Sequence, residues 1–278
     1  MTLRILLVLV VGLPLVDCDR AEPAEPASRP KLEYRRWSGP INVPDPVAIS
    51  VADNGDVYVT QTQRRKIQDL DIRGHSQWIP DDVGLTSVQD KKDFYYRTLA
   101  IDGDQSIQSR HVQDLNEDGV HDWRDLTVIS EKIHRLIDQD HDGTADAINV
   151  FAEDFKSEVT GIAAGVLHWK DSVYATIAPD VWKLTDTDGD GHADDRQVIA
   201  TGFGLHIAYA GHDMHGLTVG PDGKLYWSIG DKGISVTSRE GRRFHFPNQG
   251  GVMRCNLDGS EFEVFAHGLR NVQELAFD

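Results

Sequence analysis

Cysteine is nearly absent from this chain: Cys18 and Cys255 are the only two among 278 residues. One disulfide at most can form, so a stapled scaffold is excluded and stability has to come from packing or bound metal. No Cys-x-x-Cys-His occurs, which excludes a haem attached through thioethers within these residues. Basic residues are scarce as well, 28 Lys and Arg against 45 Asp and Glu, for a formal charge of −17. Phosphate backbones need Lys and Arg, so no nucleic-acid partner is expected. Acidity of this kind suits bound cations instead. Long apolar runs are also missing. The longest, Ile5–Val16, has 12 residues, short of the roughly 20 that a membrane-spanning helix needs.

That run follows Arg4, is broken by Gly12 and Pro14, and gives way to polar residues, the make-up of an export signal over residues 1–18. Cys18 stands where a lipid-anchored protein carries its modified cysteine, although Asp17 occupies a position that normally takes a small residue. Lipidation at Cys18, simple cleavage and an uncleaved anchor are the open alternatives. Residues 19–39 begin with a polar stretch carrying Pro23, Pro26 and Pro30 and read as a disordered tether. The protein is therefore expected outside the cytoplasm, periplasmic or associated with the cell envelope.

What the chain has in quantity is one recurring hairpin. Leu217–Val219 and Leu225–Ile229 are short apolar runs separated by Gly220-Pro221-Asp222-Gly223, which reads as strand, tight turn, strand. Val47–Thr60 repeats the pattern around Asn54-Gly55, and Gly161–Ile177 repeats it around Lys170-Asp171-Ser172. Tyr58, Tyr174 and Tyr226 hold equivalent places in the three second strands. The 52 residues from Tyr174 to Tyr226 suit one four-stranded propeller blade with a loop. The 116 residues from Tyr58 to Tyr174 hold two blades, or one with a long insertion. Gln61–Arg97 is too long and polar for a simple connection and is expected to cover one face. An ordinary antiparallel sandwich with similar turns is the other reading. The expected fold is all-β: a β-propeller of four-stranded antiparallel blades over residues 40–278, about three blades plus the start of the next at Leu275–Phe277. The chain would then be an incomplete piece of a closed ring, and poorly soluble or prone to aggregate on its own.

Three aspartate-rich loops interrupt these strands. Asp114, Asn116, Asp118, Asp122 and Asp125 fall at positions 1, 3, 5, 9 and 12 of a calcium loop, with Gly119 at the sharp turn of position 6. Asp138, Asp140, Asp142 and Asp146 repeat the spacing 24 residues later, and Asp186, Asp188, Asp190 and Asp194 repeat it 48 residues after that. Clustered carboxylates repel one another without a cation, and oxygen ligands at this spacing suit calcium. The twelfth positions, Asp125, Asn149 and Gln197, lack the bidentate Glu of an EF-hand, and flanking helices are not evident. Metal-free Asp-Gly turns are the competing reading. The third loop reads as the turn between two outer strands, Val181–Leu184 and Gln197–Ala200.

The segment Gly211–Gly233, beginning Gly-His-Asp-Met-His-Gly, and Gly268-Leu269-Arg270-Asn271-Val272-Gln273 are similar to the soluble glucose/sorbosone dehydrogenases. Those are six-bladed propellers that use pyrroloquinoline quinone (PQQ) and calcium. Together with Asp71-Ile72-Arg73-Gly74-His75 and the third aspartate loop, the wording resembles the exported, membrane-bound dehydrogenase-like propeller proteins of planctomycete-type bacteria. The resemblance covers residues 40–278 and implies a quinoprotein-type dehydrogenase acting on a sugar or alcohol. A cytochrome c domain or protein would be the electron acceptor. It makes His212 the catalytic base, Asp231 an acidic residue near the substrate, and Arg270, Asn271 and Gln273 the quinone-binding set. Val272 replaces the family's proline, and Gly211 replaces an aspartate. Read without the resemblance, His212 and His215 could cap a strand, and Arg270 could be a structural ion-pair residue. A non-catalytic propeller binding carbohydrate or protein, and a calcium-dependent lactonase-like hydrolase, are the competing functions.

Overall fold

The computed structural model describes residues 33–67 and 70–278. The signal-like run, Cys18 and the proline-containing start of the tether lie outside the described residues. The compact unit runs from Arg36 to Asp278. It starts slightly before the expected residue 40, because Trp37 packs on the cluster of Val59, Leu136 and Ala145 and its carbonyl accepts from Ala145 N–H at 2.8 Å.

Among the described residues the fold is mostly β, with three four-stranded antiparallel sheets, each a meander. The first contains β1 (Pro46–Val51), β2 (Val57–Gln61), β3 (Glu131–Ile137) and β4 (Ala147–Phe155). The second contains β5 (Ala163–Trp169), β6 (Ser172–Ile177), β7 (Asp180–Thr185) and β8 (Asp195–Thr201). In the third, β9 (Met214–Val219) and β10 (Leu225–Ile229) pair with β13 (Gly250–Cys255) and β14 (Glu263–Leu269). A two-stranded ribbon, β11 (Ile234–Thr237) and β12 (Arg243–Phe246), is inserted between β10 and β13. All three expected hairpins are present, and the 58-to-174 interval holds one sheet with a long insertion.

The sheets pack in chain order, β5 against β1 and β2, and β9 against β5 and β6. Every residue of β6 is buried, because its sheet has a neighbour on each face. One apolar cluster, including Ile133, Phe151, Val166, Val173 and Leu184, fills the first gap. A second, including Val181, Phe203, Met214, Trp227 and Met253, fills the next. Burying an aliphatic side chain such as Ile133 or Leu184 completely is worth about 1.5–3 kcal/mol. Cys255 is part of the second cluster, and burial pushes its thiol up to about 12. The three tyrosines each face a basic residue of the third strand, Arg135, Lys183 and Arg254.

The all-β expectation needs one correction. Residues 62–130, between β2 and β3, carry short helices α1 (Arg64–Ile67), α2 (Ile79–Gly84), α3 (Val88–Thr98) and α4 (Gln105–Gln108). Ser87 caps α3 by accepting from Asp90 N–H at 3.0 Å, and Phe94 and Tyr95 turn inward. They meet Ile72, Trp78, Leu99, Leu126 and Ile207 in a core of their own. Residues 270–278 form no strand, although Phe277 stacks edge-on against Tyr226 at 5.0 Å. No described helix is long and apolar enough to cross a membrane.

Candidate functional site

Pairing of Met214 with Ile229 brings the residues before β9 level with those after β10. His212 and Asp231 therefore face each other, with Nδ1 and Oδ1 2.5 Å apart. The end of β14 comes to the same point: Asp231 N–H donates to the Arg270 carbonyl at 2.7 Å, and Arg270 Nε lies 3.9 Å from Asp231 Oδ2. Gly230 is what lets the three segments approach. A Cβ there would lie 2.7 Å from His212 Cβ, 2.9 Å from the His212 carbonyl and 3.0 Å from the Arg270 carbonyl. Gln273 Nε2 donates to the Gly211 carbonyl at 3.2 Å and to Asn271 Oδ1 at 2.9 Å. All five residues expected at a catalytic or quinone site are thus gathered in one place. The Arg270 side chain is 73 % exposed and open to a ligand.

Beneath them lies a buried ion pair. Lys232 Nζ donates to Asp213 Oδ1 at 2.6 Å, and Gly211 N–H donates to Oδ2 at 3.0 Å. Burial opposes the charge on Asp213, but the Lys232 ammonium outweighs it and holds the carboxyl below its usual value. His215 is buried beside this pair, and its Nε2 has no hydrogen-bond partner among the described residues.

Asp231 also lines a cavity of about 240 Å³. Its far side comes from the helical insertion. Asp71 receives Arg73 Nε at 2.8 Å and Ala210 N–H at 3.0 Å, while Ile72 N–H donates to the Ala208 carbonyl at 2.9 Å. The Arg73 guanidinium holds the Asp71 carboxyl well below the usual carboxylate range. Asp82 on α2 accepts from the N–H groups of Ile207 at 2.6 Å and Ala208 at 3.3 Å. His206 places one ring nitrogen 2.5 Å from the Asp82 carbonyl and the other 2.6 Å from the Pro247 carbonyl. The loop before His212 is thereby clamped to the insertion. Asp71-Ile72-Arg73 was visible as a motif; Asp82, His206, Tyr209 and Asn248 carried no sequence signal.

The aspartate loops share one backbone form. Each folds with left-handed residues at positions 4 and 6: Glu117 and Gly119, His141 and Gly143, Gly189 and Gly191. Each position-6 N–H donates to the first aspartate, Asp114, Asp138 or Asp186, at 2.8–2.9 Å. The second and third loops are the β3–β4 and β7–β8 turns. In them Asp138, Asp140 and Asp146, and Asp186, Asp188 and Asp190, each bring carboxylate oxygens within 4.8 Å of one another. Asp142 stands outside the first of these triads. Asp194 is closed onto Thr187 N–H at 3.0 Å. The first loop differs. Arg124 pairs with Asp118 at 2.7 Å and with Asp122 at 2.5 Å, and Asp125 accepts from Leu115 and Asp122 N–H groups at 2.8 Å. Asp122 and Asp125 thus serve as anchors for the protein's own groups, whereas buried Asp114 Oδ1 has no hydrogen-bond partner among the described residues. Asn149 reaches across to the third loop and donates to the Gly191 carbonyl at 2.6 Å.

Residues 37–278 match the family model described as domain of unknown function DUF7133. The chain belongs to this family. No curated protein matches it. The match begins at Trp37, next to the start of the compact unit, so the DUF7133 domain takes in all three sheets, the insertion and the His212–Asp231 pair.

Proposed function

We propose that this DUF7133 domain forms the base-bearing part of a quinoprotein-like dehydrogenase that oxidises a sugar or alcohol outside the cytoplasm, with its three sheets as blades of a propeller. The observation that carries the reading is the 2.5 Å His212–Asp231 contact beside an exposed guanidinium, at the edge of a cavity. Asp231 accepts the Nδ1 proton and so leaves Nε2 with its lone pair, and Nε2 has no hydrogen-bond partner among the described residues. Histidine is a general base suited to neutral pH. His212 takes the proton of the substrate hydroxyl, and Asp231 stabilises the imidazolium that results. With a hydride leaving the same carbon, the alcohol becomes a carbonyl.

Arg270, Asn271 and Gln273 would hold PQQ, the guanidinium meeting its carboxylates. The quinone, when bound, supplies the acceptor for the hydride, and a cytochrome c domain or protein would accept the electrons in turn. The donor set fits: one open cation and two amides stand beside the base. Calcium fits the two aspartate triads, whose like charges call for a cation. It would pin the β3–β4 and β7–β8 turns. Both triads belong to single turns, so they give no support to a hydrolase whose metal is shared between sheets.

The test is titration of the full-length protein with the quinone, followed by dye-coupled oxidation of a broad panel of sugars and alcohols in calcium. Saturable quinone binding and dye reduction are expected. Neither quinone binding nor dye reduction with any substrate would transfer the site to a non-catalytic binding module.

A further inference from the structure

A second cavity, of about 180 Å³, opens where the gap between the first two sheets ends, at the last residues of β4 and β6 and the first of β7. Two aromatic side chains line it, Phe155 and Trp182, whose rings meet edge-on at 5.3 Å. Phe155 belongs to the apolar cluster between the sheets, while Trp182 packs on that cluster and stays partly open. These rings already hold one cation: the Arg196 guanidinium lies 4.4 Å from the Phe155 centroid and 5.6 Å from that of Trp182. Arg196 donates to the Glu153 carbonyl at 2.7 Å and is not part of the cavity lining.

The polar side chains of the lining are engaged, with one exception. Ser157 and Thr160 share a hydrogen bond at 2.8 Å, and Lys156 pairs with Asp154 at 2.9 Å. Asp180, the first residue of β7, makes no ion pair among the described residues. Burial pushes its carboxyl up, and only a hydrogen bond from Thr201 opposes that. A carboxylate taken out of water without a cation is costly, and a bound cation relieves that cost. One free carboxylate is too few to hold a metal ion. An ammonium group, by contrast, is satisfied by one carboxylate and the faces of aromatic rings.

We propose that this cavity binds a small organic cation, an alkylammonium whose charge meets Asp180 and whose carbon atoms lie on Phe155 and Trp182. It has room for about six waters of ~30 Å³ each, and so for a small headgroup rather than a peptide. Asp154 and Asp180 against Lys156 leave the lining negative, which turns away an anion. The proposal uses neither the quinone nor His212, so it stands or falls apart from the dehydrogenase reading.

The experiment is isothermal calorimetry on the full chain at about 0.15 M salt, where loose attraction to an acidic surface is screened. The probes are tetramethylammonium, choline and propylammonium. Dimethylbutanol, in which carbon replaces the choline nitrogen, and glucose are the neutral controls. At least one ammonium is expected to bind, and dimethylbutanol to bind about tenfold or more weaker. Asp180→Asn keeps the shape and removes the charge, so the melting temperature should not fall while ammonium affinity drops about tenfold or more. Trp182→Leu should weaken binding about threefold or more; if that variant does not fold, the Asp180→Asn comparison decides alone. Asp140→Asn removes the same charge outside the lining and should leave affinity as it was. No ammonium binding, equal binding of dimethylbutanol, tighter binding of glucose than of any ammonium, or an unaffected Asp180→Asn would each overturn the proposal. Equal losses in Asp180→Asn and Asp140→Asn would do so as well, by tracing the binding to general acidity.

Discussion

Lys232 Nζ lies 2.6 Å from Asp213 Oδ1 with both side chains buried, directly under the pair formed by their sequence neighbours Asp231 and His212. Lys232→Met leaves a carboxylate buried without its cation, which costs about 3–5 kcal/mol. The folded-state pKa of Asp213 is lowered, so its stabilisation is present above the ordinary carboxyl range and lost as pH falls through the lower folded value. Urea melts should therefore separate parent and variant at pH 7 and bring them together in strong acid. Equal midpoints at pH 7 would show that the pair holds nothing.

His212→Ala and Arg270→Ala should fail in different ways. Loss of a general base typically lowers turnover by about 10²–10⁴, with quinone affinity kept. Removal of the exposed guanidinium should weaken quinone affinity and spare the fold, since Arg270 holds its neighbours through its carbonyl. Comparing quinone titrations with turnover at saturating quinone tells the two apart; one common defect in both variants would deny them separate roles.

The hairpins were legible because each has turn chemistry between two apolar runs, as at Asn54-Gly55 or Pro221-Asp222-Gly223. Strand β3 was not, because Glu131–Ile137 alternates with charged residues and pairs with β2 across some 70 residues of insertion. Its Glu131 is fully buried, receives Ala163 N–H at 2.7 Å, and is pushed up to about 7 by burial, an environment created only by folding. The Ser87 cap of α3, three residues before Asp90, is a local signal, but the polar run around it masks the helix it starts. His212, Asp231 and Arg270 stood out through their resemblance to known dehydrogenases. The cavity wall could not, since His206 meets Asp82 across 124 residues, a distance no local pattern encodes.

Calcium should stabilise the domain through the second and third loops. A ligand specific to the folded form adds about 2.7 kcal/mol at 100 times its dissociation constant, so chelator should lower the melting temperature. Asp140→Asn and Asp188→Asn should each remove part of that response. Asp125→Ala should behave otherwise, because it strips the buried Asp122 N–H and the part-buried Leu115 N–H of their acceptor, at a cost of about 1–3 kcal/mol whether or not calcium is added. A chelator-insensitive melt would return the loops to the metal-free reading.

Acid should loosen the insertion through His75. Its Nδ1 is 2.8 Å from that of His111, and its ring stacks on Trp78 at 4.3 Å. Burial first, then His111, pushes His75 down to about 4, against a partial pull upward from Asp71. Burial, and then the neighbouring Arg110 charge, lower His111 as well. The unfolded ring takes its proton near 6.5, as an exposed histidine does, while the folded ring resists until about 4. The stabilisation is therefore complete above about pH 6.5 and is lost as pH falls toward 4. His75→Phe keeps a ring against Trp78 without the proton, and should remove the acid loss through this ring, about 3 kcal/mol by pH 4. Parallel stability-against-pH curves for the two proteins would rule His75 out.

Gly230→Ala tests the site without touching any group that does chemistry. Its Cβ would meet His212 on one side and the Arg270 carbonyl on the other, each within 3.0 Å. Those neighbours are backbone or a Cβ and cannot swing away like the tip of a long side chain. Forcing one methyl into such a space typically costs about 1–3 kcal/mol. The strain can be relieved only by parting His212 from Asp231 or lifting Arg270 off the Asp231 N–H, whose bonds are 2.5 and 2.7 Å. Turnover and quinone affinity should both fall, although His212, Asp231 and Arg270 are all still present. The matching control is Gly241→Ala, in the exposed β11–β12 turn, where a Cβ meets nothing within 4 Å and φ is +82°. That change strains the backbone locally and should cost stability without altering quinone affinity. Equal loss of quinone affinity in both variants would mean that Gly230 serves the fold alone and that the three segments need not meet for the site to work.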